Sequence, residues 1–131
     1  MREHVFRLVN GDNLKESIQQ YCIDNSISSA IVLTCVGSLR YVRIRLANAQ
    51  NFYTAENHYE IVSLVGTISQ GQAHIHISIS DENGNVIGGH LSDGCVVYTT
   101  AEIALGELED YELKREMDET TGYKELVVSK K

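Results

Sequence analysis

The sequence predicts an α+β fold in which about seven to eight strands form a mostly antiparallel sheet, with one main helix near the N-terminus. Alternation of apolar and polar residues, the period of half-buried strands, recurs along most of the 131 residues. Residues 13–25 instead show the apolar spacing of an amphipathic helix. Turn signals rich in glycine and asparagine separate the predicted strands by short connections.

The first two predicted elements are a strand over residues 4–9 and the helix that follows it. Asn10-Gly11-Asp12 ends the strand. Asn13-Leu14-Lys15-Glu16 fits a capping box at the start of the helix, and Asn25 is a favourable C-terminal stop. The apolar positions that share one helix face are Leu14, Ile18, Tyr21 and Cys22.

The next segment, Ser29–Val36, is a nearly continuous apolar run with β-branched residues. Such a run predicts a strand that is covered on both faces, with the helix on one of them. Gly37-Ser38 is expected to break this strand before the next one, residues 41–46. Residues 48–57 are polar and are expected to be irregular.

The second half of the chain is expected to consist of strands and turns. The predicted strands cover residues 59–68, 73–80, 86–90, 95–98, 101–105, 111–117 and 126–128. Ser69-Gln70-Gly71-Gln72 and Thr121-Gly122 are predicted turns. The chain contains no repeats or low-complexity tracts, so we interpret residues 1–131 as one domain.

The strand over residues 73–80 carries two histidines. Successive strand residues point to opposite faces, so His74 and His76 share one face with Ser78 and Ser80. The isoleucines at positions 75, 77 and 79 share the other face, which is expected to join the core.

The turn after this strand decides whether His90 joins the other two histidines. A two-residue type I′ loop at Asn83-Gly84 would place His90 on the isoleucine face. A three-residue loop, Glu82-Asn83-Gly84, would instead pair His76 with His90. Asp81 is a favoured first residue and Gly84 a favoured fourth residue of the type I turn in this second loop. We therefore predict the second register.

Three neutral imidazoles that converge from paired strands suit Zn²⁺ or another divalent transition metal. A fourth position would remain for water or a further ligand. The alternative is that His74, His76 and His90 are polar side chains on a solvated or inter-subunit face, because alternation alone requires only polar residues there.

The net charge of −7 argues against nucleic acid as a partner, because neutralising phosphates requires a surplus of Lys and Arg. Nine acidic and three basic residues lie between Glu102 and Glu125. Arg43 and Arg45, on one face with Tyr41 and near Arg40, are the exception. These arginines could contact an anion or nucleic acid, although such a face is more often solvated or paired with acidic neighbours.

Cysteine usage and hydropathy indicate the cytoplasm. Cys22, Cys35 and Cys95 are widely spaced and odd in number, which predicts buried, reduced side chains. No apolar run approaches the roughly 18 residues of a membrane-spanning helix, and the N-terminus has no secretory signal pattern. We expect no membrane contact.

A set of motifs runs through nearly the whole chain. They are Arg7-Leu8, Gly11-Asp12-Asn13-Leu14, Val36-Gly37-Ser38-Leu39, residues 59–67, residues 74–78, residues 84–91 and Thr99-Thr100-Ala101-Glu102. In this order the motifs resemble the PPC domain, the plant and prokaryote conserved domain. The combination of Glu60-Ile61-Val62-Ser63-Leu64 with Gly88-Gly89-His90-Leu91 is the most specific part of the resemblance.

The resemblance implies a sheet domain that assembles as a homotrimer. In plants the domain follows DNA-binding AT-hook motifs and mediates association with other nuclear factors, and stand-alone prokaryotic members are often described as predicted DNA-binding proteins. The contact element of the family matches Tyr59, Glu60, Ile61, Ser63 and Leu64. Some members are thought to carry a metal at positions that match His74, His76 and His90.

Two functions follow as hypotheses, and both leave the small-molecule ligand unknown. The first is a homotrimeric binding and assembly module in which any metal is structural or regulatory. The second is a metal-dependent hydrolase or lyase that uses water on the three-histidine ion and needs a carboxylate such as Glu60, Asp81, Asp93 or Glu102. Direct DNA binding ranks last, because the chain contains no Arg-Gly-Arg core of an AT-hook and only Lys130-Lys131 as a basic tail.

Overall fold

The structure, a computed structural model, describes all 131 residues and contains eight strands and one helix, which confirms the predicted fold class. The elements are β1 (Arg2–Val9), α1 (Leu14–Asp24), β2 (Ser29–Arg45), β3 (Phe52–Ser69), β4 (Gln72–Ser80), β5 (Val86–Leu91), β6 (Val96–Glu107), β7 (Tyr111–Asp118) and β8 (Tyr123–Lys130). The helix α1 is too short and too polar to span a membrane.

Six strands form an antiparallel sheet in the order β1-β6-β2-β3-β4-β5, and β7 pairs with β8 in a separate hairpin. β5 also pairs with the C-terminal end of β2, where Ile44 lies opposite Leu91 and Arg45 lies opposite His90. This second pairing closes β2, β3, β4 and β5 into a ring of strands. The closure brings the end of β2 beside His90.

Two predicted strand breaks are absent. β2 continues through Gly37-Ser38, β6 joins the two strands predicted at 95–98 and 101–105, and β3 begins at Phe52 within the segment expected to be irregular. The register of β2 with β6 shifts near Gly37 and Leu39, so bulges bend β2 where the sequence indicated a turn. A Cβ at Gly37 would lie 2.2 Å from the Thr100 carbonyl oxygen, so this glycine permits close strand packing.

The core lies between α1 and the inner face of the sheet. Leu14, Ile18 and Cys22 of the helix are fully buried there, and Asn25 ends the helix as predicted. All three cysteines are free and buried, as predicted, and burial raises the pKa of the Cys35 thiol to about 12.

The predicted capping box at the start of α1 does not form. Asn13 makes no side-chain cap hydrogen bond, and Glu16 instead accepts a hydrogen bond from the Gly94 backbone N–H at 3.1 Å. The Leu14 N–H donates to the Cys95 carbonyl oxygen at 2.9 Å. The loop before β6 therefore satisfies the helix N-terminus in place of the cap.

The prediction that Ser29–Val36 is covered on both faces is wrong for the single chain. Ala30 and Cys35 face the core, but Leu33 is 43% exposed and Val36 is 59% exposed. The register of β2 with β3 places these side chains beside Val65 and Val62, which are also more than half exposed. We call Leu33, Val36, Val62 and Val65 the outer apolar patch.

Candidate metal centre

The alternation along β4 has the predicted orientation. Ile75, Ile77 and Ile79 are at most 3% exposed and belong to the core. His74 and His76 point to the opposite, outer face of the ring of strands. The hydrophobic burial of three isoleucines therefore fixes the direction of both imidazoles.

The turn between β4 and β5 has the predicted three-residue loop. The Gly84 N–H donates to the Asp81 carbonyl oxygen at 3.0 Å, and Gly84 has a φ of +81°. The Asp81 N–H donates to the Asn85 carbonyl oxygen at 3.0 Å, and His76 lies opposite His90. All three histidines therefore share one face, as predicted.

The Asp81 carboxylate stabilises this loop, so Asp81→Ala is expected to lower the melting temperature by a few degrees at pH 7. Its Oδ1 accepts hydrogen bonds from the Asn83 and Asn85 backbone N–H groups, both at 2.9 Å. These hydrogen bonds hold the pKa of the Asp81 carboxyl below its ordinary value of 3.8, and the backbone N–H of Asn85 has the largest effect. The carboxylate therefore stabilises the folded protein fully at pH values above about 3.8. This stabilisation is lost as the pH falls through the lower pKa of the folded state.

Thermal unfolding followed by circular dichroism between pH 2 and pH 7 measures this difference. The gap between wild type and Asp81→Ala is expected to be widest at neutral pH and to narrow in acid. A gap that stays constant down to pH 2 would show that the carboxylate does not stabilise the loop through these hydrogen bonds.

The three imidazoles are close enough to share one ion. The ring centroids are 5.3 Å apart for His74 and His76, 5.4 Å for His74 and His90, and 5.8 Å for His76 and His90. One nitrogen from each ring lies within 4.8 Å of the other two. Tetrahedral zinc needs ligand nitrogens about 3.3 Å apart, so modest side-chain rotations would complete the geometry.

The protonation and burial of these rings also fit a metal ion. Burial, and after it the charge of Arg45, lowers the pKa of His90 to about 4. Burial and then Arg115 lower the pKa of His74 below its ordinary value. Neutral imidazole is the form that ligates metals. The Nδ1 atom of His90 is buried without a hydrogen-bond partner. A metal ion bound to this nitrogen would give it the partner that it lacks.

The β7–β8 hairpin adds Arg115 to the centre. One guanidinium nitrogen of Arg115 lies 3.1 Å from the Thr67 hydroxyl oxygen and 3.2 Å from His74 Nδ1. The hairpin is anchored at buried Leu113, whose N–H donates to the Ser29 hydroxyl oxygen at 2.8 Å. On β8, Glu125 acts in the opposite direction to Arg115 and raises the pKa of His74. The sequence contains no local signal for the roles of Arg115 and Glu125.

The three arginines singled out in the sequence have different environments. The Arg43 guanidinium carbon lies 3.8 Å from the centroid of the Phe52 ring. Arg40 donates to the Asn10 side-chain oxygen at 3.1 Å on the surface. Arg45 lines a cleft of about 450 Å³ together with His76 and His90. Only Arg45 of the three therefore lies in this cleft.

The predicted contact element divides between the core and the surface. Tyr59, Ile61 and Leu64 are at most 7% exposed within the chain's own core. Glu60 and Ser63 point outward, and the Ser63 hydroxyl lies 2.6 Å from that of Ser78 in the wall of the cleft. A partner molecule would therefore meet Glu60 and Ser63 directly, whereas the three buried residues support the strand from inside.

The four candidate carboxylates do not line the cleft beside the histidines. Glu60 and Asp81 line a separate pocket near His58 and Tyr98. Asp93 lies 3.5 Å from the Lys15 ammonium nitrogen, and Glu102 is exposed on β6. The cleft therefore offers histidines, serines and an arginine without an acidic residue among its lining side chains.

The chain is similar to known proteins over most of its length. Residues 1–109 match the family model of the Plants and Prokaryotes Conserved (PCC) domain, so the β7–β8 hairpin lies beyond the match. The bifunctional protein GlmU of Synechococcus sp. (strain JA-3-3Ab) is 35% identical over 130 residues, which are 99% of this chain and 21% of that protein. The chain thus spans about a fifth of the length of this curated relative.

Two solved structures extend the comparison. A hypothetical protein from Salmonella cholerae-suis is 32% identical, with a TM-score of 0.94 and coverage of 98% of this chain and 94% of that one. A metal-containing protein from Archaeoglobus fulgidus is 25% identical, with a TM-score of 0.74 and coverage of 97% and 94%.

Proposed function

Because the chain belongs to the Plants and Prokaryotes Conserved domain family, we propose that it is a homotrimeric binding module whose three histidines hold a divalent metal ion, with zinc as the first candidate. The convergence of one nitrogen each from His74, His76 and His90 within 4.8 Å carries this proposal. The metal-containing relative from Archaeoglobus fulgidus supports it.

The chain's own residues would hold the ion and leave one position open. The buried isoleucines of β4 orient His74 and His76, and the loop at Gly84 brings His90 beside them. A bound zinc ion would supply a Lewis acid next to the cleft that His76 and His90 line. Ser63 and Ser78 line the same cleft and offer hydroxyl groups to a ligand.

Binding is favoured over hydrolysis by the composition of the cleft. A hydrolytic zinc site requires a general acid or base within hydrogen-bond reach of the reacting water. None of the residues that line the cleft is an aspartate or a glutamate. The metal-dependent hydrolase or lyase therefore remains the second candidate, and it would need Glu125 or a residue from another copy of the chain to supply that group.

Elemental analysis of protein purified without an affinity tag tests the metal site. After incubation with zinc and exhaustive dialysis, we expect about one zinc ion per chain, because three protein ligands bind one ion and leave its fourth position to water or a further ligand. His58, which stacks on Tyr98 outside the cluster, offers the control variant His58→Ala, which is expected to retain the metal. Wild-type protein that retains less than about a tenth of an ion per chain would contradict the proposal.

The outer apolar patch supports association of the chain with further copies of itself, and the number of three copies follows the resemblance to the family. An apolar run of the kind seen at Ser29–Val36 is typical of strands covered on both faces, yet α1 and the core cover only one. Four large apolar side chains on adjacent strands are left exposed beside the cleft. Exposed contiguous apolar surface of this kind marks an interface, and further copies of the same chain are the occupant we propose.

Val62→Asp is expected to convert the trimer into monomers, because a carboxylate would be buried in the apolar interface without a partner. Light scattering coupled to size-exclusion chromatography measures the mass. Ile23 on α1 is 58% exposed, close to the 56% of Val62, so Ile23→Asp is a matched control that should remain a trimer. A Val62→Asp protein that keeps the wild-type mass would place the interface elsewhere.

A further inference from the structure

Two arginines flank the three-histidine cluster without forming a salt bridge in the structure. Arg45 lies opposite His90 in the register of β2 with β5 and lines the cleft. Its Nε atom is buried and has no hydrogen-bond partner. Arg115 approaches from β7 and contacts the ring of His74. Arg115 therefore contacts the cluster at His74, whereas Arg45 lies beside His90 in the sheet and in the lining of the cleft.

The cleft beside the cluster is locally cationic in an acidic protein, and Glu125 of β8 opposes this charge only from the side of His74, which does not line the cleft. The chain has a net charge of −7, yet the residues that line the cleft include arginine and histidine and no carboxylate. A divalent ion on three neutral imidazoles would add two further positive charges. Partly buried charge without a counter-charge is unfavourable, and in a cleft such an arrangement points to an anionic ligand.

The contact of Arg115 with His74 is incompatible with a metal on that ring. A ring that ligates through Nδ1 gives up the lone pair to which Arg115 donates. A neutral ring that ligates through Nε2 carries its proton on Nδ1, so two donors would face each other. In either case an ion on His74 releases the guanidinium, which can then donate to another acceptor beside the ion.

We propose that the cleft binds a small molecule through a carboxylate or phosphate group that completes the coordination of the metal and is held by Arg45 and the released Arg115. This inference rests on the proposed metal site. The planar guanidinium fork matches the oxygens of carboxylate and phosphate, which makes arginine well suited to this role. The volume of about 450 Å³ lies in the range of small-molecule sites.

Calorimetric titration of the zinc-loaded, full-length protein tests the inference with two probes, inorganic phosphate and malonate. The probes distinguish a site for phosphate groups from a site for carboxylates. Arg45→Gln is expected to lower the affinity for whichever anion binds more tightly by about tenfold or more, because the substitution removes charge-assisted hydrogen bonds to that anion. The zinc content of this variant is expected to equal that of wild type.

Arg43→Gln is the matched control, because it removes the same charge from the same face of β2. Its guanidinium already stacks on Phe52, so we expect less than a threefold change in anion affinity, within the range of a distant charge effect. If Arg43→Gln and Arg45→Gln lower the anion affinity equally, the effect comes from the overall charge of the protein and not from a contact with Arg45, and the inference is overturned. Zinc-loaded wild type that binds neither anion would also overturn it.

Arg115→Gln separates a ligand contact from structural support. The variant is expected to bind the anion about tenfold more weakly while its zinc affinity stays equal to or above that of wild type. Loss of zinc would show that Arg115 supports His74 instead, and this would overturn its assigned role. Wild-type protein that binds no zinc would overturn the proposed metal site and this inference together, whereas zinc without anion binding overturns this inference alone.

Discussion

His90→Ala is expected to lower the affinity for zinc by at least about a hundredfold. Substitution of residues that only hydrogen-bond to a metal ligand costs roughly tenfold to a hundredfold, and in the proposed site His90 binds the ion itself. The variant also leaves two ligands on a single strand, His74 and His76 of β4, with nothing from β5. Tetrahedral zinc sites in proteins have at least three protein ligands, and this variant supplies only two. Competition with a chromogenic zinc chelator measures the affinity of both proteins.

The same substitution tests whether the cluster is a site or a set of surface residues. The imidazole of His90 is half-buried, and its Nδ1 has no partner, so its removal should leave the fold intact. His58→Ala removes an exposed histidine outside the cluster and should leave zinc binding unchanged. A His90→Ala protein with wild-type zinc affinity would show that the three imidazoles do not bind one ion.

Gly66→Ala is expected to reduce the free energy of unfolding by about 3 kcal/mol or more, which places it among severe core substitutions. A Cβ at Gly66 would lie 2.2 Å from the His74 carbonyl oxygen and 2.7 Å from the Ile75 Cα. Both atoms belong to the backbone of β4, so no side-chain rotation can relieve the overlap. The strands β3 and β4 would have to separate at the position that holds His74 in place.

Gly122→Ala is the control for this substitution. A Cβ there would meet nothing within 4 Å, and the φ of +78° costs only about 1 kcal/mol for an L-residue. Urea unfolding of both variants gives the two free energies. If Gly66→Ala costs no more than Gly122→Ala, then β3 and β4 do not pack as closely as the structure shows.

The face shared by the three histidines follows from local rules. The two-residue period of β4 and the hydrophobicity of its isoleucines orient His74 and His76, and Asp81 with Gly84 selects the loop that adds His90. These interactions connect residues close together in the chain, so their geometry can be worked out without the rest of the fold.

Some glycines and polar residues far from that turn adopt structures that their residue types do not predict. Gly37 lies within a continuous strand because β6 approaches it closely, although its residue type indicated a break. The capping residue Asn13 forms no cap because the backbone near Cys95 already satisfies the start of α1. In both cases a distant segment determines the outcome.

The local pattern of the chain determined the strand alternation, the loop at Gly84 and the histidine cluster, because each depends on neighbouring residues. Only the tertiary structure decided that Arg45 lies in the cleft while Arg43 stacks on Phe52, and that Arg115 contacts His74. Arg115 is 41 residues from His74, and its position depends on the anchoring of Leu113 to Ser29. Such long-range packing leaves no periodic trace in the sequence, which is why the charged surroundings of the site could be seen only in the folded chain.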